Sequence, residues 1–169
     1  MNMCRKTQGA TGPDAFRQGM RRLAAAVNVI TTDLDGEVYG MVATAVCSVS
    51  ADPPTLLVCV NRAASACAPI AQSRRFCVSV LSERQRDLAS AFLDVESTKR
   101  LDLCGWHPLT TGAPAIEGAL VSFDCEVDQI IESGTHAIYI GRVVASTAPG
   151  ADAPLLYFNG SYNAMARDA

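Results

Sequence analysis

The most constraining feature of this chain is a pair of apolar segments, residues 39–50 and 55–60, separated by a short Asp52-Pro53-Pro54 turn. Such a short connection joins antiparallel strands, because a parallel crossover needs a dozen residues or more. Further strand-like segments occupy residues 27–32, 76–81, 121–127 and 136–146. Because most of these strands follow one another directly, the sequence predicts a mainly β fold, an antiparallel and nearly closed barrel.

A few peripheral helices are expected around the barrel. Apolar residues between Phe16 and Val27 recur at helical spacing, with Asp14 as the predicted N-cap. A short helix is predicted over residues 65–72 with Ser65 as its N-cap, and a capping box at residues 82–85 opens a third helix. A chain of 169 residues is most simply one domain.

The remaining segments are expected to lack regular structure or to be short. Residues 94–115 contain glycine, proline and Trp106, and they predict a long loop in which the tryptophan packs as an anchor. Residues 155–162 predict a short strand broken by Gly160. Residues 1–13 are polar and predict a flexible tail, which leaves residues 14–169 as a single domain.

Composition and charge restrict the class of function. A net charge of −3 without a basic stripe argues against a nucleic-acid partner. The apolar runs are far shorter than the roughly 20 residues of a membrane span, and the N-terminus has no hydrophobic signal core. We therefore expect no membrane partner and a cytoplasmic location.

The seven cysteines are scattered without a C-x-x-C pair, and they predict reduced thiols. Four of them lie in strand-like apolar runs, where cysteine commonly acts as a small buried hydrophobe. These four are Cys47, Cys59, Cys77 and Cys125. No spacing of histidine or cysteine typical of a metal site is present, so no metal is expected.

Residues 40–62 hold the strongest candidate binding site. The strand at 39–50 alternates between two sets of side chains: Ala43, Ala45, Cys47 and Val49 on one face, and Thr44, Val46, Ser48 and Ser50 on the other. Any half-exposed strand shows such alternation. The functional alternative is that small residues admit a flat ring system to the backbone while hydroxyls reach a sugar and phosphate, as a flavin nucleotide would require.

Two further groups of polar residues could extend that site. Asn61, Arg62 and Ser65 follow the next strand, where an arginine could pair with a phosphate or simply lie in solvent. His136 opens a strand, and a histidine there is either an exposed residue or a contact for a nicotinamide or a proton source. Tyr157 and Tyr162 either pack the C-terminus or line a pocket at a subunit boundary.

Taken together, several segments resemble the flavin reductase-like family, whose fold is the FMN-binding split barrel. The resemblance spans roughly residues 16–162 and is strongest to the small reductase components of two-component flavin monooxygenases. The segments that carry it are FRQGMRRLAAAVNVITT, DGEVYGMVATAVCSVSADPPTLLVCVNR, FCVSVL, GTHAIYIGRV and LLYFNGSY.

The resemblance implies a function and a set of roles. Family members use NADH or NADPH to reduce FMN or FAD, and the reduced flavin passes to a separate monooxygenase; members are usually homodimers. It implies that Ala43, Thr44 and Ala45 lie along the ring and that Ser48, Val49 and Ser50 contact the ring edge and ribityl chain. It also implies that Asn61, Arg62 and Ser65 hold the phosphate and that His136, as the catalytic residue, meets the nicotinamide.

Two other functions fit the same residues. A non-catalytic flavin carrier or sensor would share the flavin site but lack a productive nicotinamide site, and a barrel that serves only for dimerisation would bind neither. The consumption of NADH in the presence of flavin separates these alternatives.

Overall fold

In the computed structural model, residues 12–147 and 151–165 are described, and they form an antiparallel β structure flanked by short helices. Its strands are β1 (Ala25–Ala26), β2 (Asn28–Leu34), β3 (Glu37–Ala43), β4 (Val46–Ala51), β5 (Pro54–Asn61), β6 (Arg75–Val80), β7 (Trp106–Pro108), β8 (Pro114–Ile116), β9 (Val121–Ser133), β10 (His136–Ser146), β11 (Leu155–Phe158) and β12 (Ser161–Ala164). The helices are α1 (Pro13–Met20), α2 (Cys67–Ser73) and α3 (Arg86–Asp94), with 3-10 helices at Glu83–Gln85 and Ser97–Leu103.

Seven strands form the main sheet in the order β3-β2-β6-β9-β10-β5-β4, and all of its neighbouring strands are antiparallel. Strands β3 and β4 are consecutive in the chain yet lie at opposite edges of this sheet. The sheet therefore curls into a barrel that is split between β3 and β4. The predicted mainly β split barrel with peripheral helices is confirmed.

Two large apolar cores stabilise the fold, beside a small third cluster of Cys77, Ala113 and Ala115. The first fills the barrel and includes Ile30, Val58, Phe76 and Tyr139. The second lies between the barrel and α3 and is made chiefly of these buried side chains: Val27, Leu81, Phe92, Leu101, Ile116 and Leu155. Each such side chain contributes about 1.5–3 kcal/mol of burial free energy.

One glycine is required for close packing in the first core. A Cβ on Gly141 of β10 would lie 2.5 Å from Cζ of Phe76. The register of β10 against β9 shifts between Ile140 and Gly141. The absence of a side chain thus lets the irregular part of β10 lie directly over the Phe76 ring.

The single strand predicted over residues 39–50 is wrong. It is interrupted at Thr44 and Ala45, and the chain passes there from β3 at one sheet edge to β4 at the other. Alternating small and polar residues continue through the break, so the pattern gave no signal of it.

The predicted helices need three corrections. Helix α1 ends at Met20 rather than near Val27, because Ala25 and Ala26 pair with β11 as strand β1. Its N-cap is Gly12, with Asp14 in the first turn. The N-cap of α2 is Ala66 rather than Ser65.

The predicted capping box is confirmed: the backbone N–H of Ser82 donates to Oε1 of Gln85 at 3.0 Å. The predicted loop at 94–115 instead contains the Ser97–Leu103 3-10 helix and the β7–β8 hairpin. Trp106 is 36% exposed and so is not the expected packing anchor. Residues 155–162 form a hairpin, β11–β12, that extends to Ala164.

Strand β9 alternates apolar and polar residues, yet its polar residues Ser122 and Asp124 are both buried. The hydroxyl of Ser122 lies 2.9 Å from that of Ser79. The segment before β8 covers Asp124, since the N–H and hydroxyl of Thr111 donate to its two carboxylate oxygens at 2.7 and 2.5 Å. Satisfied hydrogen bonds of this kind are what permits a buried carboxylate.

The cysteines in the described residues are free thiols, and Cys67, Cys77 and Cys125 are buried as small core residues. Cys47 is exposed, so the expectation that it is buried is wrong; strand β4 has a sheet neighbour on one side only. No helix in the described segments is long and apolar enough to cross a membrane. The predicted tail falls mostly in residues 1–11, outside the described residues.

Candidate active site

The break between β3 and β4 forms one wall of a cavity of about 330 Å³. Five of the predicted site residues line it together: Ala43, Thr44, Ala45, Asn61 and His136. Asn61 and His136 lie directly opposite each other in the register of β5 and β10. The structure thus brings residues from three distant parts of the chain to one place.

The wall at the break is made of small side chains and a fixed backbone. Nδ2 of Asn28 donates to the carbonyl oxygen of Ala43 at 3.2 Å, and the N–H of Cys59 donates to the carbonyl oxygen of Ala45 at 3.0 Å. The hydroxyl of Thr44 has no hydrogen-bond partner among the described residues. A flat ligand can approach this wall closely, and one hydroxyl is available to it.

Local turns orient the polar groups of the opposite wall. Oδ1 of Asn61 accepts from the N–H of Ala63 at 2.9 Å, which leaves the amide nitrogen of Asn61 to donate to a ligand. Nδ1 of His136 lies 2.9 Å from Oγ1 of Thr135. Nε2 is therefore the ring nitrogen of His136 without a partner in the described part of the chain.

Five side chains that sequence reasoning did not place in the ring site also line this cavity: Val27, Met41, Val42, Cys59 and Leu93. Leu93, on α3, is 66% exposed. Burial raises the pKa of the Cys59 thiol, so the thiol stays protonated near neutrality. Tyr157 and Tyr162 line the cavity as well, in an edge-to-face pair with ring centroids 5.8 Å apart.

A second cavity, of about 420 Å³, shares Met41, Val42 and Leu93 with the first. It contains Ser65 and an arginine missed by sequence reasoning, Arg100. The guanidinium of Arg100 is held by the carbonyl oxygens of Gly40 and Val95, each at 3.2 Å. A signal existed, since Arg100 is a cation within a segment expected to be a functional loop.

The other predicted residues lie elsewhere. Ser48 and Ser50 line a separate cavity of about 490 Å³ on the other side of β4, and Val49 is 51% exposed. Arg62 does not line either site cavity; its Nη1 lies 3.4 Å from Oε2 of Glu132 in an exposed ion pair. Ser48, Val49 and Ser50 are thus not brought together with His136. Arg62 does lie beside His136, since its backbone N–H donates to the carbonyl oxygen of Thr135 at 2.9 Å, but its side chain lines neither site cavity.

An apolar surface leads directly to the Asn61–His136 pair. We call it the outer apolar face, and it consists of Cys47, Leu57, Cys59, Ile131, Ile138 and Ile140. Register pairs Leu57 with Ile140 and Cys59 with Ile138, on the outside of the barrel. These four side chains are half-buried, and Ile131 is 45% exposed. A contiguous apolar surface of this kind is typical of a protein interface.

The split barrel and its cavity of small residues define the flavin reductase class of protein, and comparison with known proteins agrees. Residues 20–166 match the family model described as the flavin reductase like domain. This chain belongs to that family, and the predicted resemblance is confirmed.

Individual relatives lie close to this chain. It is 43% identical over 151 residues to the FMN reductase (NADH) RutF 2 of Rhizobium rhizogenes, covering 89% of this chain and 87% of that protein. The flavin reductase PheA2 superimposes with a TM-score of 0.85 at 35% identity, covering 93% of this chain and all of that one. BorF, the flavin reductase component of a bacterial two-component tryptophan halogenase, gives a TM-score of 0.84 at 28% identity, with 93% and 100% coverage.

Proposed function

We propose that this protein is an NAD(P)H-dependent flavin reductase that transfers hydride to FMN or FAD and supplies reduced flavin to a partner monooxygenase. The observation that carries the proposal is the cavity that joins the small-residue wall at Thr44 and Ala45 to the Asn61–His136 pair. The name of the Rhizobium rhizogenes relative supports FMN and NADH as the preferred pair. The name of BorF supports a separate partner enzyme.

The residues of the first cavity suit a flavin ring. Ala43 and Ala45 offer little side-chain bulk, so the ring can lie against the backbone, and the Thr44 hydroxyl and the Asn61 amide can bond its polar edge. When bound, flavin supplies the chemistry by accepting hydride at N5 from C4 of the nicotinamide. The protein holds the two rings in register and excludes water from between them.

His136 is the proposed catalytic residue. It lines the ring cavity, and the Thr135 hydroxyl beside Nδ1 fixes its orientation and leaves Nε2 toward a ligand. From there it can bind the nicotinamide carboxamide or donate a proton to the reduced ring.

The second cavity suits the flavin phosphate. Arg100 and Ser65 line it, and the guanidinium of Arg100 has N–H groups beyond the two that bond backbone carbonyls. Glu96 also lines this cavity, but its Oε2 lies 3.6 Å from Nζ of Lys99. The side chain of Arg62 lines neither cavity, so the phosphate role predicted for it stays a prediction. Flavin contact by Ser48, Val49 and Ser50 stays a prediction.

The outer apolar face supports a homodimer, which is part of the proposal. That face is continuous with the site, because Cys59 belongs to both and the Asn61–His136 pair is the next in register. A second copy packed on it would bury the isoleucines and close the ring cavity from that side. A cytoplasmic location also remains part of the proposal, supported by the free thiols of the described residues.

The test is the rate of NADH consumption by purified protein before and after addition of FMN or FAD. NADH loss that depends on added flavin is the expected result. Quenching of flavin fluorescence on binding without NADH loss would indicate a carrier or sensor instead. A protein that neither binds flavin nor consumes NADH would be left with a dimerisation role alone. Repeating the assay with NADPH determines which nicotinamide nucleotide is preferred.

A further inference from the structure

The end of the β9–β10 hairpin, which carries His136, has little packing of its own. Residues 131–136 are all exposed, and a turn of two residues, Gly134 and Thr135, joins the strands, with Gly134 at a φ of 56°. An exposed hairpin end of this kind opens locally at low cost, because few buried contacts hold it closed. The position of the His136 ring therefore depends on what fixes this hairpin end to the rest of the barrel.

Arg62 attaches the hairpin end to β5 in two ways. Its backbone N–H donates to the carbonyl oxygen of Thr135 at 2.9 Å, and its Nη1 lies 3.4 Å from Oε2 of Glu132. Glu132 belongs to β9 and Thr135 to the turn, so the two contacts hold different parts of the hairpin end. Because Oγ1 of Thr135 lies 2.9 Å from Nδ1 of His136, the same attachment reaches the imidazole.

The ion pair of Arg62 with Glu132 does not compete with a ligand for space. Register places Glu132 opposite Ala137, the residue after His136. Successive side chains of a strand point to opposite faces of the sheet, so Glu132 lies behind the backbone that carries the His136 ring. The side chain of Arg62 lines neither of the two site cavities. Arg62 can thus hold the hairpin end in place while a flavin occupies the ring cavity.

We infer that Arg62 is a positioning residue for His136, an inference that rests on the proposed reductase function. Its ion pair with Glu132 clamps the hairpin end to β5, so that the His136 ring stays beside Asn61 in the wall of the ring cavity. Without the ion pair, the hairpin end samples positions in which His136 is too far from the flavin to act on it. This role differs from the phosphate contact that the resemblance implies for Arg62.

The test compares Arg62→Ala with Arg142→Ala. Arg142 forms another exposed ion pair, with Glu126 of the same hairpin, and it lines neither site cavity. Stopped-flow reduction at saturating NADH is measured with FMN and with riboflavin, which has the same ring without the phosphate. Arg62→Ala should slow the reduction of both flavins equally, about two- to fivefold, the range for one exposed ion pair. Arg62→Lys, which keeps a cation beside Glu132, should restore most of the rate, and Arg142→Ala should leave it unchanged.

Coupling to His136 separates a positioning role from a general one. In the His136→Ala background, Arg62→Ala should slow reduction no further, because the group that it positions is gone. Additive losses would show that Arg62 acts elsewhere. A higher KM for FMN with unchanged riboflavin kinetics would assign Arg62 to the phosphate instead. A shift of Arg62→Ala from dimer to monomer in light scattering would show that it acts through the subunit interface.

Nuclear magnetic resonance of the histidines tests the clamp without turnover. The chain contains two histidines, His107 and His136, so the imidazole signals of His136 are identified by their loss in His136→Ala. Arg62→Ala should shift or broaden these signals and leave those of His107 unchanged. Unaltered His136 signals in Arg62→Ala would overturn the inference. If the wild-type protein reduces neither flavin, the reductase function fails, and this spectrum alone then decides whether Arg62 positions His136.

Discussion

At the residue scale, the polar groups of the site are aimed by hydrogen bonds to their immediate neighbours. Asn61 uses its side-chain oxygen on Ala63, and His136 places Nδ1 against Thr135. Each residue thereby keeps one specific atom for a ligand. This fixed orientation makes the proposed roles of single side chains testable one at a time.

Replacement of His136 by alanine should slow NADH oxidation or raise KM for NADH, about tenfold for loss of one well-placed hydrogen bond to a charged or reacting group. FMN affinity should persist, because the small-residue wall and the second cavity are intact. Stopped-flow reduction of bound flavin measures the first effect, and fluorescence titration the second. His107→Ala, at an exposed position in β7, is the matched control. Unchanged kinetics in His136→Ala would contradict the proposed catalytic role of His136.

Loss of the Thr111 hydroxyl should destabilise the fold. Thr111→Ala leaves Oδ1 of the fully buried Asp124 without its 2.5 Å hydrogen bond, which should lower the free energy of unfolding by about 1–3 kcal/mol. Urea denaturation measures the change. The neighbouring Thr110 is exposed, and Thr110→Ala should leave stability within about 0.5 kcal/mol. Equal effects at the two positions would refute this account.

At the scale of elements, the turns were predictable from their local sequence. The positions of segments that meet from distant parts of the chain were not. The Asp35-Gly36 turn joins β2 and β3 as its residues predict, with φ of 55° and 85°. Nothing local distinguishes Thr44 and Ala45 from the alternating residues around them, yet the chain changes sheet edge there. Likewise, the burial of Asp124 depends on a segment that approaches from elsewhere in the sequence.

The outer apolar face of β5 and β10 predicts a dimer that a single charge should disrupt. Ile138→Asp would bury an unpaired carboxylate in the interface, at a cost of several kcal/mol. We expect a monomer in light scattering, with weakened flavin binding because the ring cavity loses its cover. Leu103→Asp changes an equally apolar residue, 41% exposed and away from this face, and should stay dimeric. A dimeric Ile138→Asp protein would place the interface elsewhere.

At the scale of the whole molecule, the site is assembled from segments far apart in sequence, near residues 41–45, 59–61, 93, 136 and 157–162. The resemblance to a family predicted most of its polar members, because those motifs are local. It did not predict the division into two cavities, since that division depends on how α3 and the 3-10 helix after it pack beside the barrel. Arg100 acquires its proposed role only through that packing.

The buried thiol of Cys77 also predicts how stability depends on pH. Burial raises the pKa of the Cys77 thiol to about 12, whereas an unfolded thiol titrates near 8.5. Above about pH 9 the unfolded chain loses this proton first, so stability should be complete below that pH and fall as the pH rises toward 12.

The measurement is the free energy of unfolding in urea across the alkaline range. Cys77→Ala should flatten the decline, while Cys47→Ala, at an exposed position, should not. An unchanged slope in Cys77→Ala would assign the alkaline loss to other groups, such as Cys125, whose pKa burial also raises.

The link between β3 and β4 has a consequence for the stability of the folded protein. At this seam two sheet edges are joined by covalent bonds through Thr44 and Ala45 rather than by a hydrogen-bonded ladder. The same two residues line the ring cavity. A nucleotide can bind there only when the chain is folded. Its binding therefore shifts the folding equilibrium toward the folded state by mass action. Under the proposed function, the concentration of flavin would govern both the fraction of this enzyme that is folded and its rate of turnover.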